Sequence, residues 1–166
     1  MGSDIGGKKL KKRVLFIASA GGHLSELLAL RPMFSHYESF LMTERTKSSE
    51  VLTKEFQSRI GFLIFGTTTH PFSYPFKLLG NCFISLYYYL KFRPQVVITT
   101  GVHTAAPMCC IAKLMGSKVI YIETFANLES KTASGRIIYH FADYFLVQWE
   151  SMLKLYPKAK FGGWIY

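Results

Sequence analysis

A glycine pair followed by a histidine stands at residues 21–23, within the stretch SAGGHLSELLAL. Gly21 and Gly22 would let a ligand approach the backbone, and the apolar pattern from His23 onward predicts a helix whose first N–H groups can bind an anion. At that helix end the neutral form of His23 would be favoured, which suits a general base near neutral pH. The loop lacks the spacing of dinucleotide-binding and P-loop motifs. It is therefore a phosphate cradle, a site of proton transfer, or a turn with a polar residue in it.

A second loop of the same kind lies in TTGVHTAAP, where Gly101, His103 and Thr104 precede another predicted helix. Two histidine-bearing loops favour a shared polar crevice. Glu123 follows the apolar run KVIYI, where a carboxylate can hold a ligand hydroxyl, orient a histidine or cap the next loop. The three cysteines have neither a disulfide framework nor a zinc spacing, which indicates a reducing compartment. We expect no metal and no cofactor.

These loops must be carried by a sheet. Apolar runs alternate with helical patterns along the chain, and the predicted strands are RVLFIASA, ESFLMTE, GFLIFG, QVVITTG, KVIYIET and YFLVQW. Apolar strands alternating with helices predict an α/β fold, a doubly wound parallel sheet that binds ligands beyond the carboxyl ends of its strands. Residues 12–166 are predicted to form this domain, and residues 1–11 a flexible basic segment outside it.

The composition combines a formal net charge of +10 with 49% hydrophobic and 16% aromatic residues. Such a chain suits nucleic acid, an anionic membrane surface or a phosphorylated ligand. No RNP-like, zinc-finger or helix-turn-helix pattern is present, so nucleic acid is not expected as a partner. No apolar run reaches the roughly 18–20 residues of a spanning helix.

The helical pattern over residues 76–92 is aromatic all round, whereas a helix of this fold needs one apolar stripe. This excess favours contact with a membrane surface over an unusually buried helix. The residues predicted to make that contact are Phe76, Lys77, Phe83, Tyr87, Tyr88, Lys91, Phe92 and Arg93. An apolar cluster near residue 166 is predicted to be covered by a partner protein, and it comprises Phe161, Trp164, Ile165 and Tyr166.

Three blocks together resemble the ALG-fourteen family, whose bacterial branch includes PssD- and EpsE-like capsule and exopolysaccharide biosynthesis proteins. The blocks are ASAGGHLSELLAL, VVITTGVHTAAPMCCIAKLMGSKVIYIET and SGRIIYHFADYFLVQWESMLKLYPKAKFGG, and the resemblance runs from about Lys12 to the last residue. It implies a Rossmann-like domain, the N-terminal-type half of a MurG-like GT-B glycosyltransferase, with the donor-binding half on a separate chain.

The resemblance also implies a function. The chain would be the acceptor-side subunit of a two-chain UDP-sugar glycosyltransferase, peripheral on the cytoplasmic face of the cell membrane. Its acceptor would be a polyprenyl-diphosphate-linked sugar in surface polysaccharide or lipid-linked oligosaccharide biosynthesis. It would recruit and activate the donor-binding subunit and be inactive alone. A non-catalytic scaffold and a stand-alone Rossmann-type nucleotide-binding protein remain as alternatives.

Residue by residue, the resemblance assigns the first glycine-rich loop, residues 21–23, to the acceptor diphosphate, with His23 as the candidate base. Gly101, His103 and Thr104 fall at the second glycine-rich loop of the relatives, and Glu123 matches their acidic residue. Asn127 stands near the place where the family often has an arginine.

Overall fold

The computed structural model describes residues 11–66, 72–101 and 104–165. In these ranges the chain forms one seven-stranded, entirely parallel sheet in the order β3-β2-β1-β4-β5-β6-β7. The strands are β1 (Arg13–Ala18), β2 (Glu38–Glu44), β3 (Ile60–Leu63), β4 (Val96–Gly101), β5 (Lys118–Ile122), β6 (Tyr144–Val147) and β7 (Lys160–Phe161). The order reverses between β1 and β4, which makes the carboxyl ends of these two strands the expected place for a ligand.

The helices that connect the strands are unequal in length. They are α1 (Gly22–Ala29), α2 (Arg31–Phe34), α3 (Lys47–Glu50), α4 (Leu52–Phe56), α5 (Tyr74–Phe92), α6 (Ala106–Leu114) and α7 (Ala133–Ile138). Two 3₁₀ turns, Gln57–Arg59 and Glu150–Lys154, complete the described structure. The predicted α/β fold with a doubly wound parallel sheet is confirmed.

The sheet has a hydrophobic core on each face. Leu15 and Ile17 of β1 pack with α5, α6 and α7 on one face, whereas Val14 and Phe16 pack with α1, α2 and α4 on the other. Both sets of side chains are buried, because helices cover the two faces on which successive residues of a strand lie. This is why the strand reads as a continuous apolar run.

Three element boundaries differ from the prediction. The helix predicted from residue 23 divides into α1 and α2 at Leu30, and Pro32 lies in the first turn of α2, where no N–H is needed. The polar segment at residues 47–58, whose composition predicts one short helix, forms α3, α4 and the start of a 3₁₀ turn instead. The two exposed residues of β7 carry no strand-like pattern and were not predicted as a strand.

Candidate functional site

A pocket of about 410 Å³ opens at the carboxyl edge of the sheet, between the loop that follows β1 and the loop that follows β5. Its lining residues are Gly22, His23, Glu26, Thr124, Ala126, Asn127 and Thr132. A cavity of about 240 Å³ lies elsewhere, among α2, α4 and β2, away from the predicted loops. The pocket at the carboxyl edge is the candidate site, because it is lined by Gly22 and His23 of the predicted loop.

The glycine pair forms the entrance to α1. Gly21 has a φ of 88°, a conformation that favours glycine, and α1 begins at Gly22. Both glycines are exposed, and a side chain at either position would meet open space. The free N–H groups of the first turn of α1 therefore lie beside the pocket, as a site for an anion requires.

His23 is held against the end of β4. Thr100 Oγ1 donates a hydrogen bond of 2.7 Å to the backbone oxygen of His23. Thr100 lies where the pairing of β1 with β4 changes register, an irregularity that turns its side chain towards α1. The imidazole packs directly on the backbone of Gly101, so a Cβ at that position would collide with the ring. Gly101 thus makes room for His23.

Glu26, one helical turn after His23, completes the pair. His23 Nδ1 lies 3.6 Å from Glu26 Oε2, and neither atom has a hydrogen-bond partner within the described part of the chain. The other carboxylate oxygen of Glu26 accepts hydrogen bonds from Thr124 Oγ1 at 2.6 Å and from Phe125 N at 3.1 Å. Glu26 therefore connects α1 to the loop after β5.

The charges of the pair shift both pKa values. The Glu26 carboxylate raises the pKa of His23 above its ordinary value, although burial opposes this. Burial would raise the pKa of Glu26, but His23 and the Thr124 and Phe125 donors lower it. The prediction that neutral His23 is favoured at the helix end is not supported, because the adjacent Glu26 carboxylate favours the charged imidazole and raises its pKa.

Replacing Glu26 by Gln should therefore lower the pKa of His23, while the amide oxygen still accepts from the loop after β5. The contribution of the ion pair to stability is fully present below the unfolded pKa of His23, about 6.5, and is lost as the pH rises through the raised folded pKa. Imidazole titration by NMR measures the shift, and denaturant unfolding on both sides of that pKa measures the loss of stability. An unchanged His23 pKa in Glu26→Gln would contradict the pairing. The signal of exposed His36 is the internal reference.

Glu123 does not line the pocket. It is 1% exposed, and its carboxylate accepts hydrogen bonds from Thr132 Oγ1 at 3.0 Å, Tyr156 OH at 3.0 Å and Tyr121 OH at 3.3 Å. Burial raises the pKa of Glu123, and these donors oppose the shift. Thr132 in turn caps α7 by accepting from Gly135 N. This placement does not support the predicted catalytic role and agrees with the alternative of a carboxylate that holds the next loop.

Of the second predicted loop, only the ends can be described. Thr104 is buried, and its hydroxyl donates a hydrogen bond of 2.8 Å to Glu44 Oε1 rather than facing the pocket. This placement does not support the predicted role of Thr104 in binding the acceptor diphosphate. His103 lies outside the described residues. Asn127 lines the pocket but bonds to Ser130 within its own loop.

The outer face of α5 carries an exposed apolar stripe with alternating steps of three and four residues. Phe76 is 77% exposed and Phe83 67%, and the whole stripe, called here the α5 outer face, comprises Phe76, Leu79, Phe83, Leu86 and Leu90. The inner side is polar in part: Asn81 is buried and makes two hydrogen bonds to the backbone of Ile64, at 2.7 and 3.0 Å. A helix that is apolar towards solvent and partly polar towards the core is unusual for a surface helix.

Two aromatic residues predicted to contact a membrane lie instead on the inner side. Tyr88 and Phe92 pack on Phe40 of β2, with ring centroids 5.5 and 5.2 Å apart. Their half-buried rings pack against the core between α5 and the sheet, so they do not belong to the exposed face of the helix. The other predicted residues are exposed, apart from half-buried Lys77: Phe76, Phe83, Tyr87, Lys91 and Arg93.

The predicted partner surface is also divided. Phe161 is 47% exposed and Trp164 73%, and Trp164 extends an aromatic cluster formed by Phe125 and Trp149. Ile165 instead packs on the core beside α1, which corrects its assignment to an exposed interface. Tyr166 lies outside the described residues.

Other kinds of site find no support among the residues that the structure describes. There, no three His, Cys, Asp or Glu side chains are grouped so that they could hold a metal ion. Within the same ranges, no helix combines the length and the hydropathy needed to cross a bilayer.

Comparison with solved structures defines the class of fold. MurG of Acinetobacter baumannii matches 82% of this chain with a TM-score of 0.66 at 21% identity, but only 41% of that chain is covered. UDP-N-acetylglucosamine 2-epimerase of Rickettsia bellii matches 87% of this chain with a TM-score of 0.63 at 15% identity, and 40% of that chain is covered. The chain thus spans about two fifths of each of these proteins. Its fold is that of the N-terminal half of a GT-B protein.

Sequence comparison gives the family. Residues 67–165 match the family described as "Oligosaccharide biosynthesis protein Alg14 like". The UDP-N-acetylglucosamine transferase subunit ALG14 of Homo sapiens is 30% identical over 176 residues, which cover 90% of this chain and 81% of the human protein. The chain belongs to the Alg14 family.

Proposed function

We propose that the chain is the acceptor-side subunit of a two-chain UDP-N-acetylglucosamine transferase that builds a lipid-linked oligosaccharide or surface polysaccharide. The observation that carries the proposal is its kinship with the human protein, named a transferase subunit, of which it covers 81%. The match to about two fifths of MurG agrees with this assignment, because in the proposed pair the other half of a GT-B fold would come from the partner. The partner would bind the UDP-sugar, and this chain would bind the acceptor.

In the proposed reaction, His23 takes the proton of the acceptor hydroxyl as its oxygen attacks the anomeric carbon of the donor sugar. The bond between that carbon and UDP breaks, and UDP leaves with the bonding electrons. Because Nδ1 lies against Glu26, the atom that we assign to proton transfer is Nε2. The reaction needs neutral His23, so its raised pKa predicts that activity falls on the acid side of that pKa.

The acceptor diphosphate would bind at the entrance to α1. No lysine or arginine is among the described residues that line the pocket, so the negative charge would be met by backbone N–H groups of Gly22 and the rest of the first turn. The backbone of the Gly101 loop is the second proposed contact. His103 remains a predicted member of this site.

The partner subunit would cover the exposed aromatic residues Phe161 and Trp164. Trp164 lies close to the pocket, because its ring contacts Phe125, whose N–H donates a hydrogen bond to Glu26. A partner bound at this surface would place its donor sugar next to the pocket. Trp is frequent among the residues that dominate binding at protein interfaces.

The α5 outer face would rest on the cytoplasmic leaflet, where the lipid-linked acceptor is held. Its exposed Phe rings could enter the headgroup region of a bilayer. Exposed Lys91 and Arg93 and the net charge of +10 favour a membrane with anionic lipids. Attachment of this kind is peripheral.

Co-expression with a donor-binding chain tests the pairing. We expect transfer from UDP-N-acetylglucosamine to a diphosphate-linked lipid acceptor when both chains are present and little or none with either alone.

Trp164→Ala should weaken association of the two chains by at least about tenfold, because an exposed interface tryptophan is lost. The control is Val51→Ser, which changes an exposed apolar residue beside α3 and should leave association of the two chains unchanged. Tight binding of UDP-N-acetylglucosamine by the chain alone would favour a stand-alone nucleotide-binding protein instead.

A further inference from the structure

Glu44, the last residue of β2, is a buried carboxyl group that the proposed reaction does not use. It is 2% exposed and does not line the pocket. Its Oε2 accepts a hydrogen bond of 2.8 Å from Ala20 N, and its Oε1 accepts bonds of 2.8 Å from Thr104 Oγ1 and 3.2 Å from Gly66 N. All three partners are donors, which matches an ionised carboxylate, a group that only accepts.

The three donors belong to three different loops. Ala20 lies in the loop after β1, Gly66 in the loop after β3 and Thr104 in the loop after β4. One side chain therefore fixes the relative positions of the segments that surround the end of the sheet. Hydrogen bonds to a charged acceptor are stronger than neutral ones, and they gain strength where water is excluded.

We propose that Glu44 is a positioning residue for the transfer reaction, an inference that rests on the proposed function. Ala20 directly precedes Gly21, whose turn starts α1 and places His23. The ring of His23 packs on Gly101 with no space left between them. A shift of Ala20 relative to the loop after β4 would therefore move His23 from the position at which it meets the acceptor.

Glu44→Gln tests this role with little change of shape. The amide has one accepting oxygen and one NH₂ group, so it cannot accept from donors on both of its sides. We expect amide hydrogen exchange at Ala20 or Gly66 to accelerate at least tenfold in the isolated chain, while exchange in β1, at Leu15 and Phe16, stays unchanged. In the assembled pair we expect kcat to fall by about 10–10²-fold. The KM for the UDP-sugar should remain within about twofold, because the donor site lies on the partner.

A second pair of variants separates loss of the hydrogen bond from loss of packing. Thr104→Val keeps the shape but removes the donor to Glu44, and it should lower kcat, whereas Thr104→Ser keeps the hydroxyl and should retain most of the activity. The matched control is Glu38→Gln, an exposed carboxyl at the other end of β2, which should leave both readouts unchanged.

Unchanged exchange at both Ala20 and Gly66, or full activity of Glu44→Gln, would overturn the proposal. Equal acceleration of exchange throughout the sheet would overturn it as well, because Glu44 would then support the whole fold rather than the loops. If the wild-type pair showed no transfer, the proposed function would fail, and exchange in the isolated chain would still decide whether Glu44 holds the loops.

Discussion

Replacing His23 by Gln is expected to lower kcat of the assembled pair by about 10²–10⁴-fold, the usual contribution of a general base. The neutral amide cannot take up the proton of the acceptor hydroxyl. The pocket would otherwise persist, because Glu26 still bonds to Thr124 and Phe125. Steady-state kinetics with UDP-N-acetylglucosamine and a diphosphate-linked acceptor measure the effect, and His23→Ala should give a loss of the same order.

Two controls separate proton transfer from a structural role. His36→Gln changes an exposed histidine and should leave kcat unchanged. Association of His23→Gln with the partner should match that of the wild type, because the ring does not belong to the aromatic surface around Trp164. Full activity of His23→Gln would show that the histidine only shapes the pocket, and the chain would then be a scaffold that activates its partner.

The second large effect is expected at the membrane. Phe76→Ser combined with Phe83→Ser should weaken binding to phosphatidylglycerol vesicles by about 10²-fold or more, because a fully buried Phe contributes about 1.5–3 kcal/mol. Both side chains are largely exposed, so the free energy of unfolding should hardly change. Vesicle flotation measures binding, and thermal unfolding verifies the fold.

The charged residues at the end of α5 are expected to have a smaller effect on membrane binding than its Phe residues. Lys91→Gln with Arg93→Gln should weaken binding to anionic vesicles at low salt by about 1 kcal/mol per charge and have little effect with neutral lipid. Val51→Ser removes an exposed apolar side chain on the opposite side of the sheet and should not alter flotation. Equal binding of wild type and the double Phe variant would mean that α5 does not face the bilayer and that its apolar stripe serves another contact.

The sequence was sufficient for the fold because β1 to β6 are largely buried on both faces and therefore appear as continuous apolar runs, whereas exposed β7 does not. It also located the loops, since the carboxyl ends of parallel strands share one edge. Gly22 and His23 line the candidate pocket for that reason, and Gly21 directly precedes them. The order of the strands decides which loops are neighbours, however, and no local sequence pattern predicts that order.

The residues missed by the sequence analysis illustrate this limit. Glu44 contacts loops that lie far from it along the chain, so its role depends on β2 being next to β1 and β3. Glu26 had a usable signal, its place three residues after His23 on one helix face. Glu123 was not missed, but its catalytic role was predicted although the sequence held a signal against it. It lies two residues after Tyr121, which faces the core, so the alternation of a strand directs both side chains inward.

The face of α5 could not be assigned from composition, because aromatic residues occur on all sides of the helix. In the structure, Tyr88 and Phe92 contact the ring of Phe40 in β2, which shows that their side of α5 faces the sheet. Asn81 then fixes the rotation of the helix by binding the backbone of Ile64. The exposed stripe is what remains once these inward contacts are made.

The contact between His23 and Gly101 joins two positions that are far apart in the sequence but constrain each other's evolution. As long as residue 23 is a histidine, a Cβ at residue 101 would collide with its ring, so no larger residue can replace Gly101. A small residue at 23 would release that constraint, and position 101 could then accept alanine or serine. Relatives that have lost the ring should therefore also be those in which the glycine varies, and that pairing would identify members of the family that have given up this site.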